Sequence, residues 1–288
     1  PETFSSPMYS LALETRNSVW LTDSTLLPWI ARFMAARGQF MDSTASWNAD
    51  IAKAWWGAVN ESEFHVPTSG FTTFNDFFTR EVKQEVRPVN SSTTAVVAPS
   101  DGYVWLDTDH ITASSNFQLK SDTLNPEELL GFNKAYSDKF IKGGTAVINF
   151  LSATNYHHFW SPVSGTIVAF AQLGGLYVAN MDPCCISDHR RAYIVFDTEE
   201  FGTVAMIAIG VYDISSISFS SAVKLGAKVD KGTELGMFRY GGSEIITLFE
   251  PDVVQLDADV VVGTASGNTA VRNVGQGYGV AQKKDRRQ

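Results

Sequence analysis

The run Gly143-Gly144-Thr145-Ala146-Val147-Ile148-Asn149-Phe150-Leu151 opens a stretch, continuing to Met181, that contains no Asp, Glu, Lys or Arg. Its length raises the question of a membrane span. Asn149, Asn155, His157, His158, Ser161, Pro162 and several glycines interrupt it, so it reads as buried strands and turns rather than as a bilayer helix. Further β-branched or period-two runs lie at 95–97, 103–106, 165–169, 193–196, 204–209, 245–248 and 260–262, many of them separated by Gly and Asp turns. They predict a mostly antiparallel β region.

Upstream of Gly70 the texture is helical. Asp23 or Ser24 can cap a helix that tolerates Pro28 in its first turn, with Trp29, Ile30, Phe33 and Met34 on one face. Trp47, Ile51, Trp55 and Val59 then recur four apart, a second apolar face whose ordinary fate is packing on the rest of the protein. The expected organisation is a helical region over 1–70 and a β domain over 71–288, hence α+β.

Composition narrows the function classes. At 44% hydrophobic and 18% charged, the bulk of the chain is globular. A net charge of −9 argues against a nucleic-acid backbone as partner. The basic end, Lys283, Lys284, Arg286 and Arg287 around Asp285, reads as a solvated tail. Cys184 and Cys185 are adjacent, which suits a reduced pair and a cytoplasmic setting better than a disulfide or a metal site. The histidines, His65, His110, His157, His158 and His189, stand in no zinc-binding spacing, so no metal is expected. No signal peptide is visible, and the start at Pro1 leaves open what precedes it.

The chemistry lies in a series of segments taken in order. Phe74-Asn75-Asp76-Phe77-Phe78-Thr79-Arg80 is followed by Arg87-Pro88, by Ala98-Pro99-Ser100-Asp101-Gly102 and by Tyr156-His157-His158-Phe159-Trp160-Ser161-Pro162-Val163-Ser164-Gly165-Thr166-Ile167. Near the end stands Lys231-Gly232-Thr233-Glu234-Leu235-Gly236-Met237-Phe238-Arg239-Tyr240-Gly241-Gly242-Ser243. Alone, an Asp-Gly pair or a Gly-Gly-Ser run is an ordinary turn. In this order the segments resemble the phosphatidylserine decarboxylase family, from about Phe71 to Pro251.

The resemblance implies a proenzyme, a zymogen that cuts itself before Ser243 and converts that serine to a pyruvoyl group. The Ser243 hydroxyl would attack the Gly242 carbonyl, and elimination and loss of ammonia would leave a ketone at the new chain end. The ketone would form a Schiff base with the amine of a small amino-acid-like substrate and take up the electrons left by departing carbon dioxide. By the same resemblance Asp101 would support self-cleavage, and His157 would assist decarboxylation or reprotonation.

Three positions differ from the family pattern. Trp160 stands where a second His is usual, as the base that activates the serine; His158 could substitute only if its strand is bent or bulged. Glu244 follows the serine in place of Thr or Ser and would disfavour a second carboxylate nearby unless one is paired or protonated. Ala153-Thr154-Asn155 replaces the usual Pro-x-Asp before Tyr156-His157. This replacement, with the Gly-Gly-Ser ending, looks more like the soluble aromatic amino-acid (tryptophan) decarboxylase branch, an enzyme of secondary metabolism; the acidic body weighs against a phospholipid surface and only the short basic tail speaks for one, so membrane contact is possible but not favoured.

Two other readings remain open. One is an unprocessed family member doing cofactor-free chemistry in a biosynthetic pathway, with His157, His158, Asp101 and Glu244 as acid-base groups. The other is architectural: residues 161–167 and 226–232 look like the half-motifs of a biotinyl or lipoyl carrier, predicting a lipoyl-like barrel element without the exposed lysine that a carrier needs.

Overall fold

The computed structural model describes residues 26–119, 122–173, 190–210, 216–239, 243–266 and 269–282. Asp23, Ser24, Cys184, Cys185, His189, Gly242 and the basic tail lie outside the described residues. Along the chain come helices α1 (Leu26–Met41), α2 (Ala49–Trp56) and α3 (Phe74–Phe78), then strands β1 (Ala95–Val97), β2 (Gly102–Thr112), β3 (Phe117–Leu119) and β4 (Asp122–Leu124). Helices α4 (Pro126–Leu129) and α5 (Lys134–Phe140) precede β5 (Lys142–Leu151), β6 (His158–Trp160), β7 (Gly165–Leu173), β8 (Arg191–Thr198), β9 (Gly202–Gly210) and β10 (Ser216–Phe219). The chain continues through β11 (Lys228–Val229), β12 (Glu234–Arg239), β13 (Ser243–Phe249), β14 (Val254–Leu256), α6 (Ala258–Ser266), β15 (Ala270–Arg272) and β16 (Gly277–Ala281).

All strand pairs among the described residues are antiparallel. The main sheet has eight strands in the order β11-β7-β8-β9-β13-β5-β2-β15. One of its faces packs on two three-stranded sheets, β1-β16-β14 and β10-β12-β6, through a core that includes Val96, Val147, Phe159, Phe196, Phe238, Ile245 and Tyr278. The other face is covered by α4, α5 and the β3–β4 ribbon, through Leu129, Phe140, Phe117, Leu124, Ile246 and Leu248. β13 sits mid-sheet and is buried at all its positions, which is why Ile245-Ile246-Thr247-Leu248 reads as a continuous apolar run and not as an alternation.

The α+β expectation holds, but the barrel does not. The two half-motifs do lie side by side: Gly165 and Thr166 pair with Val229 and Lys228, and the Gly232 N–H donates to Ser161 O at 2.8 Å. However, β11 is a two-residue strand at one edge of the main sheet, β15 is at the other, and no sheet among the described residues closes.

The run Val260-Val261-Val262 is helical, in α6, and not a strand. Only Val260 enters the core, while Val261 and Val262 are exposed. Packing α6 on β2 satisfies that single anchor, so tertiary context overrides the β propensity of three valines.

The second Trp-rich face packs inward, as expected, although its helix is shorter than the spacing suggests. α2 starts after Asn48, whose Oδ1 accepts from the Asp50 and Ile51 N–H groups at 3.0 Å, and it ends before Gly57. Trp47, Ile51 and Trp55 pack with Met41, Phe74 and Phe78, and Trp47 stacks on Phe77 at 4.8 Å. No helix among the described residues is long and apolar enough to cross a membrane.

Candidate active site

Ser243 is the first residue of β13, fully buried, opposite Leu151 on β5 and Gly210 on β9. Side chains alternate along a strand. Ile245 and Phe249 enter the core between the sheets, so Ser243 faces that layer. Ile246 and Leu248 enter the opposite layer, so Glu244 faces away from the serine hydroxyl. The expected crowding of a site carboxylate by Glu244 is therefore corrected by strand geometry.

β5 reaches Ser243 and then turns. The turn over 152–155 is held by Asn155 Oδ1, which accepts from the Ser152 N–H and the Ser152 hydroxyl, both at 2.7 Å, while the Asn155 N–H donates to Ser152 O at 3.0 Å. His157 follows, fully buried, with its ring centroid 4.0 Å from that of Phe78. Its carbonyl accepts from the Phe238 N–H at 2.8 Å. Since Phe238 lies on the last strand before Ser243, the His157 and Ser243 segments converge at one end of the sheet.

His158 does not share that position. Its ring stacks on Tyr156 at 4.6 Å, among the cluster that also holds Trp160. Nε2 lies 3.0 Å from Thr79 O, and Nδ1 lies 3.0 Å from Glu234 Oε1. Adjacent strand residues point to opposite faces, and the bulge in the β6–β12 pairing falls at Glu234–Gly236, past His158, so His157 and His158 face opposite sides. His158 joins the end of α3 to β12.

Asp101 and position 160 do come together. Asp101 accepts the Val274 N–H at 2.8 Å, and Val274 packs with Trp160, Tyr156, Phe64 and Val82. The Trp160 N–H donates to Pro99 O at 2.8 Å. Asp101 is gripped by Arg87, whose Nε lies 3.0 Å from Oδ1 and whose Nη2 lies 2.7 Å from Oδ2. The same Nη2 reaches Glu63 Oε2 at 2.8 Å. Burial pulls the Arg87 guanidinium down, but hydrogen bonds and charge from Asp101 and Glu63 outweigh it and leave it above its ordinary value. Burial, with a smaller push from Glu234, raises the Tyr156 phenol. Asp101 is thus a held carboxylate, not an open one.

Several residues escape a reading by motif. Arg80 lies between the Phe64 and Phe77 rings at 4.3 and 4.8 Å and is buried; burial lowers it to about 10, so it keeps its charge at neutral pH. Asn149 faces the same layer as Ser243, diagonally across β5 and β13, with neither amide atom hydrogen-bonded. The signals were present: an arginine closing an aromatic run, and a lone amide inside the apolar strand Ala146–Phe150.

The buried Ser243 heading a doubly paired central strand and the buried His157 imidazole supply a hydroxyl and a proton carrier enclosed in the core, the groups that an enzyme of the core-site type uses. Residues 74–272 match the family model described as phosphatidylserine decarboxylase. A phosphatidylserine decarboxylase proenzyme of Chlamydia muridarum is 33% identical over 77% of this chain and 74% of its own length. Proenzyme 2 of Oryza sativa and proenzyme 3 of Schizosaccharomyces pombe are each 32% identical over 78% and 70% of this chain, which spans only 37% and 21% of their lengths. The chain belongs to the phosphatidylserine decarboxylase family, a family of carboxy-lyase proenzymes that form a pyruvoyl group from a serine.

Proposed function

We infer that this chain is a self-processing decarboxylase that cuts between Gly242 and Ser243 and removes the carboxylate of phosphatidylserine. The observation that carries it is the placement of Ser243, buried at the head of β13, within a region matching the family throughout. The residues present fit a pyruvoyl group at 243: β13 is hydrogen-bonded to both neighbours from its first residue, so a new chain end there stays anchored. Once formed, that group supplies a ketone that takes up the electrons released with carbon dioxide.

The remaining work falls to side chains. His157 holds or moves the proton that replaces the carboxylate. Arg87 holds Asp101 fixed beside Val274, so Asp101 supports the sheet end and does not act as a mobile base. The serine headgroup of the lipid carries both the amine and the carboxylate that the chemistry requires. The names of the relatives favour this lipid over a free amino acid, and they give the aromatic amino-acid branch no support.

The test is the intact mass of freshly made protein under denaturing conditions, followed by carbon dioxide release from phosphatidylserine vesicles and, separately, from tryptophan. Two pieces divided at Ser243, a carbonyl-reactive new end and release from the vesicles are expected. Ser243→Ala should stay whole and inactive. A wild-type protein that remains a single 31.6 kDa species refutes the proposal. Release from tryptophan alone moves the substrate to the aromatic branch.

A further inference from the structure

His157 and Arg80 are joined through the turn that precedes the histidine. One Arg80 nitrogen, Nη2, donates to two consecutive carbonyls, Thr154 O at 2.7 Å and Asn155 O at 3.1 Å. Nη1 donates to Phe77 O at 3.3 Å. On the far side of the same Asn155 carbonyl lies His157 Nδ1, at 2.9 Å. A carbonyl oxygen only accepts, so the hydrogen of a neutral His157 ring sits on Nδ1 and the lone pair on Nε2.

The arginine itself is locked. It is 1% exposed, clamped between two rings, and its charge makes both carbonyl hydrogen bonds stronger than neutral ones. The 152–155 turn has its own hydrogen bonds through Asn155 Oδ1 and the Asn155 N–H, whereas the partners given to the Asn155 carbonyl among the described residues are Arg80 and His157.

We propose that Arg80 is a positioning residue that, through the Asn155 carbonyl, fixes the His157 tautomer with Nε2 as the proton-accepting nitrogen of the site. This rests on His157 as the acid-base group of the decarboxylase proposed above. Arg80 touches no reacting atom; it sets which nitrogen can do the work. A lysine, with a point charge on a flexible stem, lacks the planar fork that reaches Phe77 O from one nitrogen and both turn carbonyls from the other.

The experiment is nitrogen NMR of protein labelled with ¹⁵N-histidine, the His157 signals being identified by their loss in His157→Gln. The wild-type ring should show a protonated Nδ1 and an unprotonated Nε2; the reverse pattern overturns the proposal without any variant. In Arg80→Met and Arg80→Lys, with folding checked by circular dichroism, the pattern should shift toward a protonated Nε2. Turnover should fall by about 100-fold with KM nearly unchanged, the size typical of a misplaced reacting group. If Arg80→Met does not fold, Arg80→Lys is read alone. Folded variants with an unchanged His157 pattern overturn the proposal even if turnover falls. A changed pattern with unchanged turnover supports the positioning and counts instead against His157 as the acid-base residue.

Discussion

Replacing Arg87 by Met tests whether Asp101 is held or free. The guanidinium makes two close contacts to the carboxylate and one to Glu63, and Arg87 and Asp101 are each almost fully buried. Removing one partner of a buried ion pair costs about 3–5 kcal/mol, because the other charge is left without its counterpart. At about 2–3 °C per kcal/mol for a chain of this size, the melting temperature should fall by roughly 6–15 °C. Asp101 would keep only the Val274 N–H among its hydrogen bonds given above. Asp101→Leu should cost a similar amount, since it leaves Arg87 with the Val86 carbonyl and Glu63, its sole remaining charged partner among the described residues. The double variant Arg87→Met with Asp101→Leu removes both charges together, and its loss should be well below the sum of the two single losses. Thermal unfolding of all four proteins closes the cycle. A loss under about 1 kcal/mol for Arg87→Met, or a double variant equal to the sum, would show that Asp101 is not engaged as described.

Three further outcomes follow from local geometry. Gly102 has a φ of +143°, and a Cβ there would lie 2.1 Å from Phe150 O, so Gly102→Ala should cost about 2–4 kcal/mol in denaturant unfolding through backbone strain and a clash between β2 and β5. Partial desolvation raises the Asp107 carboxyl above its ordinary 3.8, but the residue is exposed on β2, so its ionised form is only slightly disfavoured in the fold. That small penalty is absent below pH 3.8 and complete above the raised folded value, so Asp107→Asn should melt slightly higher than wild type at pH 7, with the advantage vanishing in acid. On α6, Val260→Asp should unfold the protein, whereas Val262→Asp should change stability by less than about 0.5 kcal/mol; a strand would bury both positions on one face and make both changes severe.

The strands were largely legible because their burial is periodic or continuous over many residues, as in Ala146–Phe150 and Ile245–Leu248. The valine run of α6 was not: three β-branched residues carry a local preference, and only the packing of Val260 against the sheet decides against it. The half-motifs at 161–167 and 226–232 predicted a barrel and do lie side by side, but closure depends on how many strands follow and where the edges fall. At the site, residue types pointed to Ser243, His157 and Asp101. Which way Glu244 and His158 face follows from strand parity once register is known, and what Asp101 binds depends on an arginine fourteen positions earlier in the chain. Such contacts are set by topology, which no single motif encodes.

The position of Ser243 in the middle of the main sheet also bears on the physical nature of the processed molecule. The piece beginning at Ser243 would keep β13 between β5 and β9, supply β15 to one edge of the main sheet, and supply β14 and β16 to the small sheet with β1. Cutting the chain would not divide the fold; it would turn one polypeptide into an interwoven heterodimer. Unfolding would then release two partners, the melting temperature would rise with protein concentration, and recovery from denaturant would wait on a second-order encounter that the uncut precursor never needs.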